Sequence, residues 1–213
     1  MNRGRLPTAA LAYIAGVSTA AVAVAIAIGR GSGPGTLVGS FVILTGLGML
    51  AHAFPIQGFR HQAYQVTLPF IVTAAALFSA TQLIAFVVLI HLAEQVRTRR
   101  RLYIQWFNLS NYFLSAAMAA GCTLIAVNRI LLAGALWLAR GLSPAASGLW
   151  LPQLLAADLI MAWMAGPMLV LTLEAGPWMV LVTAGPLLLA RTALSVLVPR
   201  RQQRSRQARA RAA

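Results

Sequence analysis

The chain contains three acidic residues and three histidines, so the groups able to carry acid–base or metal chemistry can be taken one at a time. Glu94 follows His91 by three positions, which puts both on one face of a helix. Glu-x-x-His is a metal-ligand pattern in helix bundles when two copies converge. Here the order is reversed and there is one copy, so His91 and Glu94 are expected as an interfacial pair beside the basic run Arg97-Thr98-Arg99-Arg100-Arg101. His52 lies near the end of one apolar segment, His61 in the following loop, and His91 near the end of the next. Two imidazoles from two helices can hold a haem iron. A single crossing between His52 and His91 would set them at opposite membrane surfaces, so no shared haem, no other cofactor and no metal site is expected.

Asp158 sits inside an apolar segment, where a carboxylate is costly unless it is paired or faces water. At roughly 1.5 Å per helical residue, Asp158, Arg129 and Arg191 lie ~10–15 Å below the same surface. The expectation is an intramembrane ion pair, Asp158 with Arg129 or with Arg191, that locks helices together, with ligand anchoring as its sharper role. The stretch Trp106-Phe107-Asn108-Leu109-Ser110-Asn111-Tyr112 is polar for a crossing. Asn108 and Asn111 fall three apart on one face, and Trp106 and Tyr112 suit the membrane interface. These four are the candidate ligand contacts. No nucleophile elbow, Walker loop, paired zinc motif or kinase signature is present, so catalysis is not expected. The single Cys122 allows no intramolecular disulfide and reads as a small buried hydrophobe.

The elements that must position these residues follow from composition. The 213 residues are 60% hydrophobic and 9% charged, with a mean hydropathy of +0.78; a soluble domain carries about 25% charged residues. This is the composition of an all-α integral membrane protein. A crossing takes about 20 apolar residues, and the chain divides into apolar segments at 6–28, 36–54, 67–93, 107–138, 150–173 and 177–198. One bundle of about six transmembrane helices over 1–199 is expected, followed by an Arg-rich cytoplasmic tail over 200–213. The first segment imitates a secretory signal, with Arg3 and Arg5 before it and Ala23-Val24-Ala25 as a cleavage-like triplet. It is too long for a signal h-region and is expected to remain as the first membrane helix. The small-residue spacings Ala12-Gly16-Ala20 and Gly35-Gly39 predict close packing of the first two helices. Pro177 is expected to open the last helix, and Pro167 and Pro186 to kink theirs.

The net charge of +14 would suggest nucleic acid on a soluble fold. Most of the arginines instead flank apolar runs, as membrane-bordering charge does, so the expected partners are the bilayer, anionic lipid at the Arg-rich tail and a protein partner or larger membrane complex, with no nucleic acid. With six crossings and both termini cytoplasmic, Arg3, Arg5, Arg60, Arg140 and the tail arginines lie inside. Arg30 and the Arg97–Arg101 cluster then lie outside, against the positive-inside tendency. A hairpin near Ser79-Ala80-Thr81 would bring that cluster back but send the tail out, so six crossings are preferred.

Phe54-Pro55-Ile56, then Val66-Thr67-Leu68-Pro69-Phe70, the arginine cluster, and Phe107-Asn108-Leu109-Ser110-Asn111-Tyr112 with Leu114-Ser115-Ala116-Ala117 follow one another in an order that resembles the N-terminal multi-helix membrane input module of bacterial HD-GYP and GGDEF signalling proteins. The resemblance spans about 36–200 and implies sensing of a signal or ligand within the inner membrane. After Val198-Pro199-Arg200 only an Arg/Gln/Ala tail follows, so the module is expected without the family's catalytic output domain. The expected function is a non-catalytic sensory or ligand-binding membrane module that works through a partner. The alternatives are an accessory subunit of a larger membrane complex, and, by architecture alone, a substrate-binding subunit of an energy-coupling-factor-type transporter.

Overall fold

A computed structural model describes residues 6–30, 38–54, 56–57, 63–64, 66–118, 121–186 and 189. The protein is helical: α1 (Thr8–Arg30), α2 (Val38–Ala53), α3 (Leu68–Leu77), α4 (Ala80–Thr98), α5 (Leu102–Ala117), α6 (Gly121–Arg140), α7 (Pro152–Trp163) and α8 (Ala165–Ala175), with a further helical run over 179–186. Two short strands, β1 (Ile56–Gln57) and β2 (Ala63–Tyr64), pair antiparallel between α2 and α3. Among the described residues three stretches are long and apolar enough to cross a membrane: Thr8–Arg30, Ala80–Thr98 and Leu154–Ala175, the last running through α7 and α8. α1 continues unbroken through Ala23–Ala25.

The two longest apolar segments of the sequence each fold as two helices rather than one. In 67–93 the chain breaks at Phe78 and Ser79, and Ser79 caps α4. The Ser79 hydroxyl accepts from the Gln82 amide, and the Gln82 side chain accepts from the Ser79 amide. This capping box satisfies amide groups that a helix start otherwise leaves bare. In 107–138 the break follows Met118, the C-cap of α5. One helix of that length would run to roughly 48 Å at 1.5 Å per residue, well beyond a hydrocarbon core of about 30 Å. Pro167 acts as expected: its ring opposes the carbonyl four residues back, and α7 ends at Trp163 with a turn at Met164. Pro177 lies in the turn that precedes the 179–186 run.

The breaks decide which ends of the helices meet. Leu6 ahead of α1, Tyr103 and Ile104 in the first turn of α5, and Ala139 and Arg140 ending α6 line one cleft. The Arg97 guanidinium donates to the Ala53 carbonyl at 2.6 Å and lies 3.8 Å above the Phe54 ring centre. The C-termini of α2, α4 and α6 and the N-termini of α1 and α5 therefore share one end, which also holds Arg97, Arg99, Arg100, Arg101 and Arg140. At the other end Phe41 meets Phe78, ring centres 5.4 Å apart, and Gly39 faces Pro177.

α3 occupies the centre, with Leu68, Phe70, Ile71, Thr73 and Ala74 all at or below 1% exposure. Around it the core gathers Leu44, Phe86, Ile90, Leu124, Met168 and Val180. α2 and α4 approach most closely at Gly48, where an added Cβ would stand 3.0 Å from the Phe86 ring and 3.2 Å from Ile90. The expected packing of the first two helices through small residues is not what forms. α1 lies chiefly against α5 and α6, Tyr13 fills the space over Gly134, and Ala12, Gly16 and Ala20 are exposed.

Candidate functional site

One helical turn beyond Gly48 on α2 comes His52, and one residue beyond Ile90 on α4 comes His91, so the close approach at Gly48 delivers both imidazoles to the same place. Their ring centres are 4.5 Å apart. The expectation that His52 and His91 lie at opposite surfaces is thereby overturned, because α3 and α4 form a hairpin that returns the chain to its starting side. The two rings pack against each other, their planes tilted by 53°.

Tyr112 of α5 packs edge-on against both rings, at 5.5 Å from His52 and 5.1 Å from His91. Glu94 joins from the next turn of α4. Its Oε2 is 3.3 Å from His52 Nε2, and its Oε1 is 3.1 Å from the Arg100 guanidinium. Gln105 of α5 donates to the His91 carbonyl at 2.7 Å and more weakly to Glu94 Oε2 at 3.4 Å. Thr67 closes the cluster at 3.2 Å from His52 Nδ1. His91 and Glu94 are thus not a solvated interfacial pair: His91 is 1% exposed, and Glu94 binds His52 and Arg100.

The hydrogen bonds fix a tautomer. His91 Nδ1 is 2.9 Å from the Val87 carbonyl, which can only accept, so Nδ1 carries the proton and neutral His91 presents a bare lone pair at Nε2. That nitrogen has no hydrogen-bond partner, nor does Gln105 Oε1. Such orphaned buried groups are uncommon in folded proteins and call for an explanation. His52 Nε2 also lacks a well-aligned hydrogen bond, although it stands in ion-pair range of Glu94.

A second polar set lies deeper. The Arg129 guanidinium on α6 donates to Asp158 Oδ2 on α7 at 2.5 Å, with both side chains buried. Next to Arg129, Asn128 accepts from Asn111 Nδ2 at 2.7 Å. The structure thus joins Asp158 to Arg129; Arg191 lies outside the described residues. Neither charge would survive the low dielectric alone, and their mutual attraction is what opposes their desolvation.

The four candidate ligand contacts of α5 part company. Tyr112 faces the histidines and Asn111 faces Asn128. Asn108 lines the cleft of about 200 Å³ shared by α1, α5 and α6 with Arg140, and Trp106 is exposed beside Leu102 and Leu109. Sequence reasoning missed Gln105, Thr67 and Asn128 as members of the buried sets, and Arg100 as the exposed residue that reaches Glu94. Asn128 was detectable on the same ground as Asn111, an amide within an apolar run. Among the described residues no three His, Cys, Asp or Glu side chains are placed to hold a metal ion. Comparison with protein-family models, curated proteins and solved structures gives no match.

Proposed function

We propose that the chain is a non-catalytic, multi-pass protein of the cytoplasmic membrane that acts as a sensory or ligand-binding module and works through a protein partner. The observation that carries this reading is the ion pair between buried Glu94 and Arg100. It ties a cluster with unpartnered polar atoms to a loop of arginines at the protein's edge, so occupancy of one can alter the presentation of the other. A site that responds and a surface that reports are what a sensory module needs.

The charge distribution supports the orientation. Among the described residues Arg97, Arg99, Arg100, Arg101 and Arg140 gather at one end and Arg30 stands at the other, so a cytoplasmic basic end follows the positive-inside tendency. With both long segments folded as hairpins, the basic cluster no longer conflicts with that rule, and the crossings number more than six. The resemblance to the membrane input modules of HD-GYP and GGDEF proteins points the same way.

A second reading, an accessory subunit of a larger membrane complex, is favoured by the exposed Ala12, Gly16 and Ala20 on α1, a face on which another helix can pack closely. Purification from native membrane separates the two. The sensory reading expects one partner whose recovery changes several-fold with Glu94→Gln while the folded chain persists. A large stoichiometric complex indifferent to that change favours the accessory role, an ATPase pair favours a transport subunit, and recovery of the chain alone overturns the reading.

A further inference from the structure

Around Glu94 two unmatched atoms accept, and the third, His52 Nε2, faces the carboxylate itself. His91 Nε2 is a lone pair, Gln105 Oε1 is an acceptor, both are unpartnered, and the Glu94 carboxylate only accepts. Of the donors fixed there, Gln105 Nε2 is committed to the His91 carbonyl, Thr67 and His52 Nδ1 to each other, and His52 Nε2 faces Glu94 Oε2. The charged donor on Glu94 Oε1 is the Arg100 guanidinium, and it differs from its neighbours in exposure. Its side chain is 40% exposed against 6% for Glu94, so it reaches in from the edge and marks the route by which the carboxylate communicates with solvent.

Local backbone geometry holds it there. Arg99 ends α4 with φ 47°, in the left-handed region that non-glycine residues seldom adopt. The Gln95 side chain donates to the Arg100 carbonyl at 2.9 Å, and the turned chain points Arg100 back along α4.

We propose that the Glu94 cluster is a binding site for a small organic cation bearing several N–H donors, a guanidinium or primary ammonium, and that Arg100 is a tethered occupant which such a cation displaces. This rests on the sensory reading above and supplies its ligand class. A guanidinium offers five donors in a planar fork, enough for the carboxylate, the His91 lone pair and Gln105 Oε1 together. A hard inorganic cation prefers an all-oxygen shell, which the two imidazoles do not provide. Displacement releases Arg100 into the loop and frees the Arg97–Arg101 turn from its anchor on α4. The signal is then a change in which arginines are available at the basic end.

The test uses the purified full chain in lipid nanodiscs with methylguanidinium chloride as the probe. Tetramethylammonium chloride, a cation without N–H donors, is the control at equal ionic strength. In the unsubstituted chain methylguanidinium is expected to raise trypsin cleavage within 97–101 several-fold, read by fragment mass, while the control leaves it unchanged. Arg100→Gln is expected to lower the unfolding temperature by several degrees, methylguanidinium to restore it, and Glu94→Gln/Arg100→Gln to be unresponsive. Equal effects of the two salts, or the same rescue in the double variant, overturn the proposal. If Arg100→Gln does not fold, the cleavage comparison decides. Because no partner is present, failure here leaves the partner-recovery experiment standing, and failure of that experiment leaves cation binding intact.

Discussion

Asp158 and Arg129 show what a single pair can decide. With both groups buried and bonded, Asp158→Asn leaves a buried guanidinium unanswered, and the expected loss is about 3–5 kcal/mol. Arg129→Met/Asp158→Leu removes both charges and is expected to be far closer to the unsubstituted chain, since well-packed apolar replacements of such pairs are often neutral or stabilising. Reversible unfolding in mixed micelles measures the difference, and a double variant no better than Asp158→Asn would show that the charges themselves are not the issue. This pair was legible in the sequence because acids are so few that a carboxylate in an apolar run has few possible answers. His52 and His91 were legible as chemistry but not as neighbours. Their contact depends on the direction the chain takes between them, and nothing about either residue encodes that.

At the scale of elements, the decisive feature is the Phe78–Ser79 break. Ser79 and Gln82 form a capping box, and Ser79→Ala is expected to cost about 1 kcal/mol through loss of the cap. The effect should appear as a lowered unfolding temperature together with weaker protection of the first turn of α4 in hydrogen exchange. Unchanged protection there would mean that packing alone starts the helix. Ser79-x-x-Gln82 was readable as a helix start, but hydropathy runs straight through it because Phe, Ser, Ala and Thr interrupt no apolar average. The second break, after Met118, was readable from length alone. The apolar segments came through the sequence, but two of the six each hold two helices. What periodicity does not encode is whether a long apolar stretch crosses once or folds back.

For the whole molecule, the two hairpins put the N-termini of α1 and α5 and the C-termini of α2, α4 and α6 at one end. The orientation proposed here is checked by labelling introduced thiols in a Cys122→Ala background. Arg101→Cys is expected to react with a membrane-impermeant maleimide only from the cytoplasmic face, and Arg30→Cys only from the opposite face. Reaction of both from one side would refute the arrangement. The composition pointed to the membrane class at once, through a charged fraction near a third of the soluble norm. The arrangement of the arginines became interpretable only with the helix directions, because a charge map assigns sides correctly only when the crossings have been counted correctly.

The brevity of α3 also bears on how such a chain enters a bilayer. Its ten residues span about 15 Å, half the hydrocarbon thickness, and its polypeptide neighbours, not lipid, cover Leu68, Phe70, Ile71 and Ala74. On the proposed topology such a helix has no stable lipid-facing state of its own. It would wait on α4, whose nineteen residues are long and apolar enough to cross. Insertion on that topology would go by pairs, the second helix of the hairpin committing the first, because α3 precedes α4 in the chain.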